Sequence, residues 1–240
     1  MERLKIKNKK IICIIQCRLG STRFKNKALK KIGNYRIIEW VIRRVKVSKR
    51  VDKIYLATTR KKEDIKLVEI AKNLKIEVYR GSSDNVFSRF YKIFKTENPD
   101  YIIRVCADNP FISSTEIDKL IFKAIKYKSD YIFNHIPYKN NNYIDGLGAE
   151  CISARSINRL AQVKKSKAEK EHVSMYIWKK KNFFKFNYFC ARGISRDNER
   201  NLKLDIDYDY QYQFFRKILK AFKSPPENLN INYLIHKIIQ

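Results

Sequence analysis

The chain has 240 residues, 44% of them hydrophobic and 32% charged. These are the proportions of a globular protein that buries its own core, and they exclude a disordered or collagen-like chain. Its 53 Lys and Arg against 24 Asp and Glu give a net charge of +29, which bears on partners and not on fold. Three readings of that charge compete: a nucleic-acid partner, an anionic small substrate, or a lysine background accompanying the abundant Ile, Asn and Tyr, whose codons are AT-rich. Lysines scattered from Lys5 to Lys237 speak against one dedicated basic segment. No apolar run approaches the roughly 18 residues that span a bilayer. The apolar run 11–15 is shorter than the ~7 residues of a secretory signal core. A cytoplasmic protein without a membrane partner is expected.

In chain order, residues 11–16 (IICIIQ) read as a strand buried on both faces. A basic turn follows, and Ile37, Ile38, Val41, Ile42 and Val45 mark one face of a helix. Residues 53–58 form a second strand. Helical spacing resumes at Ile65, Val68, Ala71 and Leu74, and 77–79 gives a short strand. Val86, Phe87, Phe90, Tyr91 and Phe94 predict another helix, and 101–105 (YIIRV) another buried strand. Ser113 with Glu116 forms a capping box opening a helix through Ile125, and 131–133 is a fifth strand. This alternation predicts an α/β fold, a mostly parallel sheet with helices on both faces. Beyond it, 137–142 is irregular, 149–153 strand-like, 167–178 helical and 184–190 strand-like. An aromatic helix over 208–222 ends before Pro225 and Pro226. One domain over 1–240 is expected, with an arm or insertion within roughly 135–190. Five cysteines (Cys13, Cys17, Cys106, Cys151, Cys190) without a CxxC pair suit reduced thiols.

Ligands of an open parallel sheet bind at the carboxyl ends of its strands, and three segments there carry chemistry. Residues 17–27 (CRLGSTRFKNK) offer a small-residue turn plus Arg18, Arg23, Lys25 and Lys27, an anion-binding combination that is neither a Walker loop nor a GxGxxG fingerprint. Residues 106–110 (CADNP) place Asp108 after a strand. Residues 204–209 (LDIDYD) hold three aspartates in five residues. Carboxylates of this kind suit Mg²⁺, which takes one or two of them together with substrate phosphates. Asp209 reads as a helix-start charge. Trp40 and Trp178 read as packing residues, and His135 and His236 as structural or surface ones.

These segments resemble the cytidylyltransferases that activate sugars as CMP derivatives, the CMP-N-acetylneuraminate and CMP-3-deoxy-octulosonate synthetases, and most of all the spore-coat polysaccharide branch. CRLGSTRFKNK stands where that branch reads ARxGSTRLPGK, RGSSDNVFSRFY where it reads RGSEDDVLxRYY, and RVCADNPFIS where it reads RVTGDxPLID. DGLGAECIS, EHVSMYI and LDIDYDYQYQF follow in the family's order, with Gly148 in place of a family carboxylate. The resemblance implies a Rossmann-like nucleotidyltransferase domain with a small dimerisation arm. It would be a homodimer that transfers CMP from CTP to an acidic sugar, releasing pyrophosphate, for surface polysaccharide biosynthesis. It places Arg18, Gly20, Ser21 and Lys27 on the triphosphate and Thr58, Thr59 and Arg89 near the nucleotide. Asp108 and Asp207, with Asp205, fall on Mg²⁺-binding positions, and Asp145, Glu150 and His172 on positions facing the sugar. Arg18, Lys27, Asp108 and Asp207 would carry catalysis. The competing readings are another nucleotide or a non-sugar acceptor on the same fold, and a basic nucleic-acid-binding module.

Overall fold

The computed structural model describes residues 8–21, 23–139, 143–189 and 202–239. Its strands are β1 (Ile11–Gln16), a short hairpin of β2 (Lys31–Ile32) and β3 (Tyr35–Arg36), β4 (Lys53–Thr59), β5 (Glu77–Gly81), β6 (Tyr101–Cys106), β7 (Tyr131–Phe133), β8 (Glu150–Ser153) and β9 (Phe186–Tyr188). Its α-helices are α1 (Ile37–Lys46), α2 (Ile65–Asn73), α3 (Val86–Glu97), α4 (Ser114–Tyr127), α5 (Ala154–Ala161), α6 (Lys167–Glu171), α7 (Met175–Lys179), α8 (Asp209–Ile218) and α9 (Ile231–Ile239).

Seven strands form one sheet in the order β5-β4-β1-β6-β8-β7-β9. β8 alone runs against the others, pairing antiparallel with both β6 and β7. The apolar β1 lies inside this sheet, and its side chains alternate between two cores. Ile11, Cys13 and Ile15 meet the face covered by α1, α2 and α4. Ile12 and Ile14 meet the face covered by α3, α5 and α7. A third core, around Trp40, Phe111, Leu204, Ile206 and Phe215, ties α8 and α9 to the outer side of α1. The Rossmann-like α/β class read from the sequence is the fold observed.

The described residues within 135–190, where an arm is expected, supply β8 and β9 to the main sheet, α5 and α7 to one of its faces, and α6, which packs on α3. The helix expected over 167–178 is two short helices. His172 leaves helical geometry (φ −104°, ψ 96°), and the Ser174 hydroxyl turns inward to donate to Glu150 at 2.6 Å. Cys13, Cys17, Cys106 and Cys151 are free thiols, and burial raises the pKa of each. Cys190 lies outside the described residues. No helix among the described residues is long and apolar enough to cross a membrane.

Candidate active site

Beyond β1 the chain opens into the 17–21 loop. The Cys17 amide donates to the Ala57 carbonyl at 3.2 Å, prolonging the β1–β4 ladder, and the Ser21 amide donates to the Leu19 carbonyl at 2.9 Å. The Leu19 side chain enters the core, so its neighbours Arg18 and Gly20 face the opposite way. They line a cavity of about 400 Å³ over the ends of β1 and β6. A Cβ built on Gly20 meets nothing within 4 Å, so the loop backbone there stands open to a ligand. Gln16, Arg104 and Cys106 come from the strand ends, Val86 and Arg89 from α3, and Glu171 and His172 from the α6 end. Five cationic side chains (Arg18, Arg23, Lys27, Arg89, Arg104) and two carboxylates (Asp108, Glu171) line this space. The excess favours an anionic ligand.

At one end of the cavity a 3-10 turn, Lys27–Leu29, follows Asn26 in left-handed conformation (φ 56°), which aims Lys27 inward. Its ammonium sits between two carboxylates, 3.0 Å from Asp108 Oδ2 and 2.8 Å from Asp207 Oδ1. Arg23 approaches the other oxygen of Asp207 at 2.6 Å. Burial works against the Lys27 charge, but Asp108 and Asp207 outweigh it and its pKa is raised. The two aspartates meet because the Ile206 amide donates to the Asp108 carbonyl at 2.8 Å. Leu204 and Ile206 point into the third core, which leaves Asp205 and Asp207 on the opposite side, as alternation along an extended segment requires. Asp205 Oδ1 is buried and has no hydrogen-bond partner among the described residues. Burial raises its pKa first, then Asp207 and Asp108.

Asp145 does not line the cavity. Its carbonyl accepts from the Leu204 amide at 2.9 Å, and its carboxyl is pushed up to about 6 by burial and then by Asp205. Next to it Gly146 has φ +84°, and a Cβ there would lie 2.7 Å from the Asp205 amide nitrogen. Only glycine permits this crossing. Gly148, which replaces a family carboxylate, has no room for any side chain, since its Cβ would fall 2.1 Å from the Asn134 carbonyl oxygen.

The other expected residues are placed as follows. Arg18 bridges to Glu171 at 3.0 Å and donates to the Ser83 carbonyl at 3.3 Å. Arg89 is 2% exposed and donates to the Ser82 carbonyl at 2.6 Å. Its Nε has no partner among the described residues, and burial lowers its pKa, with Arg18 adding to the effect. Ser21 and His172 line the cavity. Thr58 and Thr59 are buried in β4 outside the lining, and Thr59 donates through its amide and hydroxyl to Asp64.

Glu150 also stays out of the cavity. It is 2% exposed, ion-paired with Arg104, and accepts from the hydroxyls of Tyr131 at 2.5 Å and Ser174 at 2.6 Å. Burial would raise its pKa, but Arg104, His135 and these hydroxyls hold it down at about 2. Arg104, Gln16, Glu171 and Asp64 line or brace the site without having been expected there. A charged residue inside the apolar strand YIIRV was the available signal for Arg104, since a buried guanidinium demands a partner.

Two acidic residues bridged by a lysine, beside an open loop in a basic cavity at the carboxyl edge of a parallel sheet, form a site for an anionic ligand in an α/β protein. The chain matches the cytidylyltransferase family over residues 12–237 and belongs to it; it is a CTP-dependent nucleotidyltransferase. An uncharacterised protein of Methanocaldococcus jannaschii is 36% identical over 93% of this chain and 94% of its own length. The spore coat polysaccharide biosynthesis protein SpsF of Bacillus subtilis is 31% identical over 70% of this chain and 69% of its own. A cytidylyltransferase structure from Leptospira borgpetersenii superposes with a TM-score of 0.87 at 26% identity, covering 97% of this chain and 94% of that one.

Proposed function

We propose that this cytidylyltransferase transfers CMP from CTP to a hydroxyl of an acidic sugar, releasing pyrophosphate, in the cytoplasm and for surface polysaccharide biosynthesis. The observation that carries the reading is Lys27 seated between Asp108 and Asp207 at the edge of a cavity in which cations outnumber carboxylates. Arg18, Lys27 and the Gly20–Ser21 backbone would hold the triphosphate and neutralise the departing pyrophosphate. Arg89, which lines the cavity from α3, would contact the nucleotide.

Asp108 and Asp207 suit a divalent cation. Their oxygens already converge on one positive charge, and Oδ1 of Asp205 is buried without a hydrogen-bond partner among the described residues. No group of three ligating side chains is assembled among the described residues. Mg²⁺ takes one or two carboxylates and completes its shell with water and substrate phosphates. A bound Mg²⁺ would polarise the α-phosphate as a Lewis acid.

On the acceptor side His172 faces the cavity directly. Glu150 would act through Arg104, whose guanidinium it fixes, and Asp145 through the backbone that carries Asp205. Assembly as a homodimer belongs to the same proposal and is read by light scattering. The deciding assay follows pyrophosphate release from each of the four NTPs with a panel of sugar acids and their neutral counterparts. CTP with at least one acidic sugar is the expected pair. Turnover confined to neutral or non-sugar acceptors would overturn the acceptor class, and a preference for another NTP would overturn CTP.

A further inference from the structure

Asp64 is 1% exposed and makes no ion pair within 4.0 Å among the described residues. A carboxylate so placed must be satisfied by hydrogen bonds, and its donors come from two segments. Only one of them, the 17–21 loop, is distant in sequence from Asp64, and Oδ1 accepts from its Leu19 amide at 2.8 Å. Oδ2 accepts from the Thr59 amide at 3.2 Å and from the Thr59 hydroxyl. The carboxylate therefore fastens the 17–21 loop to the end of β4. Its field also reaches Arg89, where it opposes the loss of charge that burial promotes.

We infer that Asp64 is a positioning residue of the nucleotide site, holding the 17–21 loop in the one arrangement that presents Arg18 and the Gly20–Ser21 backbone to the triphosphate. The inference rests on the reading of that loop as the triphosphate holder. Leu19 is the pivot. Its side chain is held by the core and its amide by Asp64, so the residues on either side of it have a single way to face. Such preorganisation lowers the ordering cost of binding, and it uses a donor that cannot reach the ligand to fix those that can. Thr59, expected near the nucleotide, contributes from behind as a donor to the same carboxylate.

A second carboxylate supplies the control. Asp118 accepts from the Ser48 hydroxyl at 2.5 Å and from the amides of Lys49 and Arg50 at 3.0 and 3.2 Å. It thus fastens a loop in the same manner, away from the cavity. Calorimetric CTP binding and amide hydrogen exchange are measured on the wild type, Asp64→Asn, Thr59→Val, Asp118→Asn and Arg18→Ala. Asp64→Asn should weaken CTP binding at least about tenfold and speed exchange at residues 17–21 of the free protein, because one of the two accepting oxygens becomes an NH₂ group that only donates, leaving one segment without its acceptor. Thr59→Val should do the same to a smaller extent, and it carries the test if Asp64→Asn does not fold. Asp118→Asn should leave CTP affinity within about twofold. Unchanged affinity in Asp64→Asn, or in Thr59→Val where that variant stands in, overturns the inference, as does an equal loss in Asp118→Asn. Arg18→Ala reports separately on the loop: if it leaves CTP binding unchanged, the triphosphate reading itself falls.

Discussion

Lys27 shares its ammonium between Asp108 and Asp207, so each of the three side chains sets the charge the others feel. Removing Asp207 takes one carboxylate from the pair and releases Arg23. Asp207→Asn should keep the circular dichroism of the wild type and lower turnover at least ~100-fold, the scale of losing one charged group from a preorganised transition-state site. Near-wild-type turnover at saturating Mg²⁺ would remove Asp207 from the cation site. Lys27→Ala separates ligand from fold in the opposite sense. The side chain lies at the cavity edge and not in a core, so the melting temperature should move little. CTP affinity should fall roughly 10- to 100-fold, the worth of a hydrogen bond to a charged group. Calorimetry showing unchanged CTP affinity would dismiss Lys27 as a triphosphate ligand.

At the scale of elements, β6 and β8 carry the polar spine of the site through the middle of the sheet, where Arg104 and Glu150 pair across the antiparallel register. Glu150 is held at about 2, well below the ordinary carboxylate range near 4.5. Between these values the unfolded chain binds more protons than the native one, so stability rises with pH. Glu150 therefore contributes fully above about pH 4.5, and the contribution is lost as pH falls toward 2. Glu150→Gln should cost about 3–5 kcal/mol at neutral pH by leaving Arg104 buried without its counter-charge. The gap to wild type in urea melts should narrow between pH 4.5 and 2; a gap independent of pH would show that the pair does not carry this linkage.

The strands of the main sheet were legible because buried strands announce themselves as apolar runs. Residues 11–16 and 131–133 were read with the observed bounds, and 101–105 missed only Cys106. The break between α6 and α7 was not legible. Residues 167–178 keep helical spacing, and only the tertiary partner of Ser174, the buried Glu150, shows why the helix stops. The same limit applies to the site. Lys27 and Asp108 follow the strands β1 and β6, Asp207 is singled out by the family motif LDIDYD, and the fold brings the three together. Glu150 and Asp145, which the family resemblance places facing the sugar, are not among the residues that line the cavity. Which side of the backbone a carboxylate takes depends on partners distant in the chain.

For the whole molecule the open question is the +29 charge. The cavity accounts for only a few of these cations. Lysines elsewhere serve local carboxylates, as Lys53 does for Glu97 at 2.7 Å and Lys179 for Glu169 at 3.0 Å. A surface of this charge binds any polyanion at low salt by releasing counterions, and that binding falls steeply as salt rises. The expectation is detectable duplex and single-strand binding at 20 mM salt that weakens beyond roughly micromolar Kd near 150 mM, the range of non-specific contacts. CTP turnover should change far less over the same titration, because partly buried charges such as Lys27 are screened less than exposed ones. Following fluorescence anisotropy of labelled DNA and RNA beside pyrophosphate release, in one salt series, separates the two. Nanomolar, sequence-dependent binding that survives 150 mM salt would make nucleic acid a true partner, and the lysines could then no longer be read as background.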